Sequence, residues 1–395
     1  MSNLYSASNQ WAVRPRDQRF WGLKDLLERV AHNRESSQEK DVAVKDLRVL
    51  TDDGQVKLVG PQGNPATLQH YAFDGLSRLV GAPADFLRKL SLEAVEKVIR
   101  ERMDDLEERD AVWKLLVQKN GDLALRGING KAYGRIWDED IVKVLLKAEE
   151  NGWIVPPARP SPVAMDDPRI RPATEADILP NQGDFALSIK VGDLIGPAGV
   201  YASDRDMFVF MVDPKRVIDD GGKGLRRGFF IENSEVGKPV AATMTAFGWE
   251  HVCGNHIVWG ASLVKSVRVI HRKNAAENFE EQLKTTVEVL ETTDPVEEKI
   301  IEAAKRYELA KDREGVIERL NKKTSIGLSQ KVIDVAFRKA EEWELTALAP
   351  PTTAWGFVHG LTRLSQESEW AEQRSALDRA GGEILALVDN TKVAA

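Results

Sequence analysis

Imidazole, thiol and guanidinium side chains are the groups in this sequence whose types and spacing could do chemistry, and they gather in a few short segments. The first is His251-Val252-Cys253-Gly254-Asn255-His256, which contains the only cysteine. A thiol between two imidazoles could ligate a metal or form a Cys/His nucleophilic pair. On an extended strand, however, His251 and Cys253 share one face and His256 projects from the other, so the three converge only if Gly254-Asn255 makes a bulge. The plainer reading is preferred, a small buried cysteine in a β-core beside a turn. No catalytic residue, metal or cofactor is assigned on this basis.

The second segment, KSVRVIHRKN, carries Lys265, Arg268, His271, Arg272 and Lys273 with no acidic residue. If it is extended, Lys265, His271 and Lys273 point one way and Arg268 and Arg272 the other. Such a row suits phosphate oxygens, to which Arg and Lys give charge-assisted hydrogen bonds. It equally suits an edge strand whose charges prevent aggregation, and both readings stay open. Arg226-Arg227 lies beside Phe229-Phe230, and cations next to aromatics are what a single strand's phosphates and bases require. The candidate nucleic-acid-binding residues are therefore Arg226, Arg227, Lys265, Arg268, His271, Arg272 and Lys273. Trp249, Trp259 and Trp355 could stack bases, although most tryptophans serve as core anchors.

The elements that must position these groups follow from periodicity and punctuation. Residues 1–40 show no sustained period and read as an arm that docks elsewhere. Residues 41–150 form an α+β unit, with a helix opening at Ser91 as N-cap and running through Val95, Val98, Ile99, Met103 and Leu106. The run DLALRGINGKAYGRIWDEDIVKVLL reads as strand, turn at Asn129-Gly130, second strand and short helix. Seven of the 17 prolines fall between Pro156 and Pro180, which makes 151–183 a linker or crossing loop. Phe185, Leu187, Ile189 and Val191 alternate as a strand, and MFVFMVD, RRGFFIE, PVAATMTAFGW, HVCGNHIVWG and KSVRVIHRK continue a β-rich core over 184–273. Beyond 274 the chain turns helical and acidic, with Asp294-Pro295-Val296-Glu297 as a helix start and a further helix near 328–345. The expected fold is α+β: a central antiparallel β-sheet with an α+β N-terminal unit and a helical C-terminal region.

Composition excludes whole classes. A chain of 395 residues that is 42% hydrophobic and 30% charged, with net charge −7, has the core content of two or three globular domains. Residues 275–395 hold 16 Lys+Arg against 23 Asp+Glu, so the acidity belongs to the tail and the remainder is balanced. No run of about 18 apolar residues and no signal-like N-terminus occurs, so a cytoplasmic protein without membrane contact is expected. The P-loop, dinucleotide, zinc-peptidase and serine-hydrolase signatures are missing.

Several segments together resemble a known family. Asn233-Ser234-Glu235-Val236-Gly237 followed by Val252-Cys253-Gly254-Asn255 resembles the central motif of the phage- and plasmid-borne family called domain of unknown function 932. VRVIHRKN is similar to that family's following strand, ending in His271 and Asn274. The run with Arg126 and Tyr133 resembles its earlier hairpin, and Thr353 to Gly356 its late Thr-x-Trp-Gly helix. The resemblance spans roughly 45–370 and implies a phage, prophage or plasmid setting, without a catalytic assignment. Physically, Asn233 to Gly237 suits a tight turn held by its own Ser and Asn side chains.

These readings predict a non-enzymatic nucleic-acid-binding protein of a phage or mobile element, one that holds or anneals single-stranded DNA in recombination or replication. Unpaired sheet edges and long Ala-, Leu- and Glu-rich helices lead to an expected homo-oligomer. The alternatives are an enzyme acting on nucleic acid or a nucleotide, with Cys253 or His256 and Glu235 near its site, and a structural or host-interaction protein.

Overall fold

Gly121, at φ +86°, closes the hairpin on which the N-terminal sheet is built, because that left-handed backbone is open to glycine at little cost. The computed structural model of the chain describes residues 14–106, 111–157, 159–160, 165–178, 189–197, 199–218, 225–237, 241–250, 255–258, 267–291, 296–342, 349–366 and 371–390. Strands β1 (Ser37–Ala43), β2 (Arg48–Asp52), β3 (Gln55–Val59), β4 (Pro65–Leu68), β5 (Val112–Asn120) and β6 (Asp122–Gly130) form one six-stranded sheet in the order β1-β5-β6-β4-β3-β2. Its pairs are antiparallel except β4 with β6, which run parallel.

The hairpin joins β5 to β6, and no strand follows the Asn129-Gly130 pair. The sequence-based expectation of a second strand there is corrected. Residues 133–137 alternate as a strand would, but their large side chains stack on one another and on neighbours instead of lying on a sheet.

Helix α1 (Leu23–Glu35) falls where an aperiodic arm was expected. Leu23, Leu26 and Val30 share one buried stripe, and the segment continues into β1, so residues 23–40 belong to the body of the fold. Helices α2 (His70–Leu79), α3 (Ala84–Leu87) and α4 (Leu92–Asp104) cover the first sheet. Leu76, Val95 and Ile99 meet Leu58, Leu125 and Ile128 in its core. Ser91 caps α4 as expected, its hydroxyl accepting from Ala94 N at 3.3 Å. Gly75 lets α2 lie directly on β6, since an added Cβ would sit 2.2 Å from Ile128 O.

After helix α5 (Asp138–Glu150), the described part of the proline-rich stretch includes β7 (Arg171–Pro172), which pairs antiparallel with β8 (Leu194–Ile195). The second six-stranded sheet contains β9 (Val200–Ala202), β10 (Met207–Ile218), β11 (Leu225–Asn233), β12 (Ala241–Glu250), β13 (Asn255–Val258) and β14 (Val267–Ile270). Its pairs are antiparallel, in the order β13-β12-β11-β10-β9 with β14 also on β12. Met207, Val209 and Met211 face the helices, while Phe208 and Phe210 face the other side, where Tyr201, Phe208 and Phe230 stack.

Helix α6 (Ala275–Glu291) packs Phe279 and Leu283 onto the second sheet. Helices α7 (Val296–Arg306), α8 (Arg313–Asn321), α9 (Gln330–Glu341), α10 (Ala354–Gln366) and α11 (Ala371–Asn390) build a separate core around Trp355, Phe357 and Leu361 of α10. The fold is α+β with a helical C-terminal region, and among the described residues its strands form two six-stranded sheets and a two-stranded ladder rather than one central sheet. Among the described residues no helix is long and apolar enough to cross a membrane.

Candidate functional site

The turn that leaves β11 places its polar side chains against the first sheet and welds the two sheets together. Asn233, Ser234, Glu235 and Val236 are all buried, and Gly237 closes the turn at φ +91°. Glu235 Oε2 accepts from Arg126 Nη1 of β6 at 2.8 Å, with both side chains at most 3% exposed. Its Oε1 accepts from the Asp138 backbone N–H at the start of α5, at 3.2 Å. Asn233 Nδ2 donates to Asp138 Oδ1 at 2.7 Å and to Ile136 O at 2.9 Å. Burial first, and the charge of Glu235 second, push the Asp138 carboxyl well above the usual range, against the pull of the Asn233 hydrogen bond and Arg126.

The turn is held partly as its composition suggested. Ser234 Oγ accepts from Val236 N at 3.3 Å within the turn, but it also donates to Arg205 O at 2.6 Å. Asn233, expected to bond its own backbone, instead bonds residues nearly a hundred positions away. Glu235 is fully engaged by Arg126 and a peptide N–H, so it does not stand open to a substrate as the enzyme alternative needs.

A ladder of flat groups runs beside this network. His271 stacks on Tyr133 with ring centres 5.2 Å apart. The Arg135 guanidinium lies 5.2 Å from the Tyr133 ring centre and 5.7 Å from that of Trp137, and Arg34 lies 5.2 Å from the Trp137 ring centre. Arg135 Nε donates to Glu39 at 2.8 Å, while its buried Nη1 and Nη2 have no hydrogen-bond partner. Tyr133 OH donates to Ser234 O at 3.1 Å, and burial raises its phenol. Burial also pushes the His271 imidazole down to about 4, with Arg135 adding to the effect and the Gly134 carbonyl opposing it. Gly134 is required where the two segments touch, because an added Cβ would sit 1.7 Å from Arg272 O. Tyr133 therefore has His271 stacked on its ring and the Arg135 guanidinium beside it.

Over this floor lies an open cleft of about 270 Å³, lined by Asn129, Gly130, Ala132, Tyr133, Gly237 and the Ile270–Arg272 bend, with Arg78 of α2 completing the wall. Among the described residues no carboxylate lines it. Arg78, Lys131, Arg272 and Lys273 are exposed around it. Arg268 is exposed on the same face of β14 as Ile270, two residues along the strand. Among the described residues these five cations make no ion pair, whereas Arg88, Arg126 and Arg313 are each tied to a carboxylate.

The seven residues singled out in the sequence divide. Arg268, Arg272 and Lys273 belong to this exposed set. His271 is 4% exposed and forms part of the floor. Arg226 and Arg227 are 3% and 4% exposed, so neither presents a cation to solvent. Arg227 Nη1 donates to Leu290 O at 2.9 Å, satisfying a carbonyl in the last turn of α6, and burial lowers the Arg226 guanidinium despite Asp213 nearby. Their place beside Phe229 and Phe230 reflects core packing, which corrects the expectation of a base-and-phosphate surface there. Lys265, His251 and Cys253 lie outside the described residues, and His256 sits on β13 opposite Trp249. Trp355 is buried in the helical core. β14 ends at Ile270, so His271, Arg272 and Lys273 follow a bend and the expected two-sided row of charges is not formed.

Sequence reasoning missed Arg78 and Lys131. Lys131 could have been found beside the Asn129-Gly130 turn, but Arg78 on an amphipathic helix carries no local signal. Arg126, Tyr133, Asn233 to Gly237, His271 and Asn274 do converge here, Asn274 at φ +63° leading into α6. Thr353 to Gly356 lies in the helical core instead. No protein-family model, curated protein or solved structure matches the chain.

Proposed function

We propose that this chain is a nucleic-acid-binding protein of a phage or mobile element, related to the family of unknown function that its motifs resemble, and that it engages single-stranded DNA through the cleft between β6, α2 and the β14–α6 bend. The observation that carries this reading is the cleft's charge. Arg78, Lys131, Arg268, Arg272 and Lys273 surround a carboxylate-free hollow without ion-pair partners, which is the footprint of a polyanion. Exposed guanidinium and ammonium groups suit phosphate oxygens, and a cleft of this size suits an unstacked nucleotide better than a duplex groove.

The protein acts in the cytoplasm as a homo-oligomer, closing the outer edges of its sheets against copies of itself. Fluorescence anisotropy with a labelled single strand tests the reading. Affinity should fall steeply with salt, and Arg78→Glu with Arg272→Glu should flatten the dependence of log K on log salt by at least about 1.4, the value for two lost phosphate contacts on a single strand. Absence of binding by folded protein at low salt would sink the proposal.

A further inference from the structure

Two hydrogen-bond acceptors at the cleft are fixed in identity by backbone carbonyls. Asn129 is 2% exposed and its amide nitrogen donates to Val236 O at 3.3 Å. Since a carbonyl accepts only from the NH2 end of an amide, Oδ1 is the end left over, and among the described residues it has no hydrogen-bond partner. His271 Nδ1 faces Gly134 O at 3.2 Å, so Nδ1 carries the ring proton. Burial holds the imidazole neutral, with a pKa of about 4, and Nε2 keeps a lone pair that meets no donor among the described residues. Both residues line the cleft and both side chains are more than nine-tenths buried; the two acceptor atoms are themselves sealed from solvent, so the floor must shift for a ligand's donor to reach them. A buried acceptor without a donor is costly, so this floor favours a ligand that brings N–H groups.

The rim adds the second requirement. Arg78 and Arg272 stand at the same cleft with no carboxylate opposite, so the ligand's outer part is anionic. A ligand that donates inward and is negative outward has the pattern of a nucleotide whose base bears an exocyclic amine. Resting on the nucleic-acid reading, we propose that the cleft takes one unpaired nucleotide carrying an amino group, the amine donating toward Asn129 Oδ1 and His271 Nε2 and the phosphate meeting Arg78 and Arg272. Cytosine, adenine and guanine fit. Thymine does not, because it flanks its single N–H with carbonyl oxygens that would face the two acceptors. Gly237 keeps the floor open, since a Cβ there would lie 2.8 Å from Asn129 Nδ2.

The test uses the intact protein and short labelled strands of oligo-dC, oligo-dT, and oligo-dC in which the base is N4,N4-dimethylcytosine. Oligo-dC should bind about tenfold tighter than either of the others, the size of one well-made hydrogen bond to a buried group. His271→Phe, which keeps a flat ring on Tyr133 but removes Nε2, should bring the ratio of oligo-dC to oligo-dT affinity, measured within that variant, down from about tenfold to about one. Should that variant fail to fold, the dimethylcytosine strand makes the same cut from the ligand side. Selective displacement by free CMP over TMP would support the inference and show that one nucleotide suffices, and an oligo-dC preference that CMP does not compete away would support it while requiring a strand. Equal binding of all three strands, still weakened by Arg78→Glu, overturns base selection and leaves the nucleic-acid reading standing. No binding of any strand overturns both.

Discussion

Replacing Arg126 with methionine removes the cation that neutralises Glu235 inside the junction of the two sheets. The pair is nearly sealed, at 3% and 2% side-chain exposure, so water cannot take over. Glu235 would then keep only the Asp138 N–H at 3.2 Å, with the Asp138 carboxyl close by. Breaking a buried ion pair from one side costs about 3–5 kcal/mol, because the charge left behind is uncompensated. At a urea dependence of about 2–3 kcal/mol per molar, the midpoint should drop by about 1–2.5 M. Glu235→Gln also breaks the pair from one side: with its amide oxygen on the Asp138 N–H, its NH2 faces the buried Arg126 guanidinium, so it too should be destabilising, offset in part because the charge crowding Asp138 disappears. The double variant Arg126→Met with Glu235→Gln removes both charges and should lose less than the two single changes together, with a coupling of at least about 1.5 kcal/mol. Urea unfolding followed by tryptophan fluorescence and far-ultraviolet circular dichroism supplies all four stabilities. If the single losses simply add, or Arg126→Met costs under about 1 kcal/mol, the claim that this pair holds the two sheets together is wrong.

The neighbouring groups give four further expectations. Asp138 has its folded pKa raised above the unfolded value of about 3.9, so its contribution is fully present below that pH and is lost as pH rises toward the folded pKa; Asp138→Asn, which still accepts from Asn233, should flatten that decline and melt higher than the parent at pH 8, and a lower melting temperature there would contradict it. His271 works in the opposite sense, folded at about 4 against about 6.5 unfolded, so its contribution is present above about pH 6.5 and disappears as pH falls through about 4; His271→Phe should reduce the slope of stability against pH across that window, and an unchanged slope would count against a buried neutral imidazole. Gly237→Ala, at φ +91° and 2.8 Å from Asn129 Nδ2, should lower stability by about 1–3 kcal/mol in urea titration, whereas a loss below about 0.5 kcal/mol would show that the turn relaxes freely. Arg227→Met should lower the melting temperature by unpairing the α6 carbonyl yet leave the salt dependence of DNA binding unchanged, which separates the buried arginines from the exposed set.

What could be read in the sequence was mostly local. Ser91 announces its helix because a cap acts on the next turn, and MFVFMVD and RRGFFIE announce strands because alternation is a property of a few residues. Helix α1 escaped notice because its stripe is short and interrupted by Lys24, Asp25, Glu28 and Arg29, so the second sheet it packs on supplies much of the order. Arg226 and Arg227 misled for a physical reason. An arginine beside phenylalanines looks the same whether its guanidinium meets a phosphate or a carbonyl, and Leu290 lies 63 residues away. The motif around Glu235 was recognised, but its partners Arg126 and Asp138 come from another sheet and a helix start that only the topology brings near.

Ultraviolet cross-linking of single-stranded oligo-dC, with the attached peptides read by mass spectrometry, tests the nucleic-acid interface most directly. Cross-links should fall on peptides carrying Lys131 to Tyr133 and Ile270 to Lys273, and they should vanish in Arg78→Glu with Arg272→Glu while that protein keeps its circular dichroism spectrum. Cross-links confined to the helical region beyond Val296, or a pattern untouched by the double charge reversal, would contradict the assignment of this cleft.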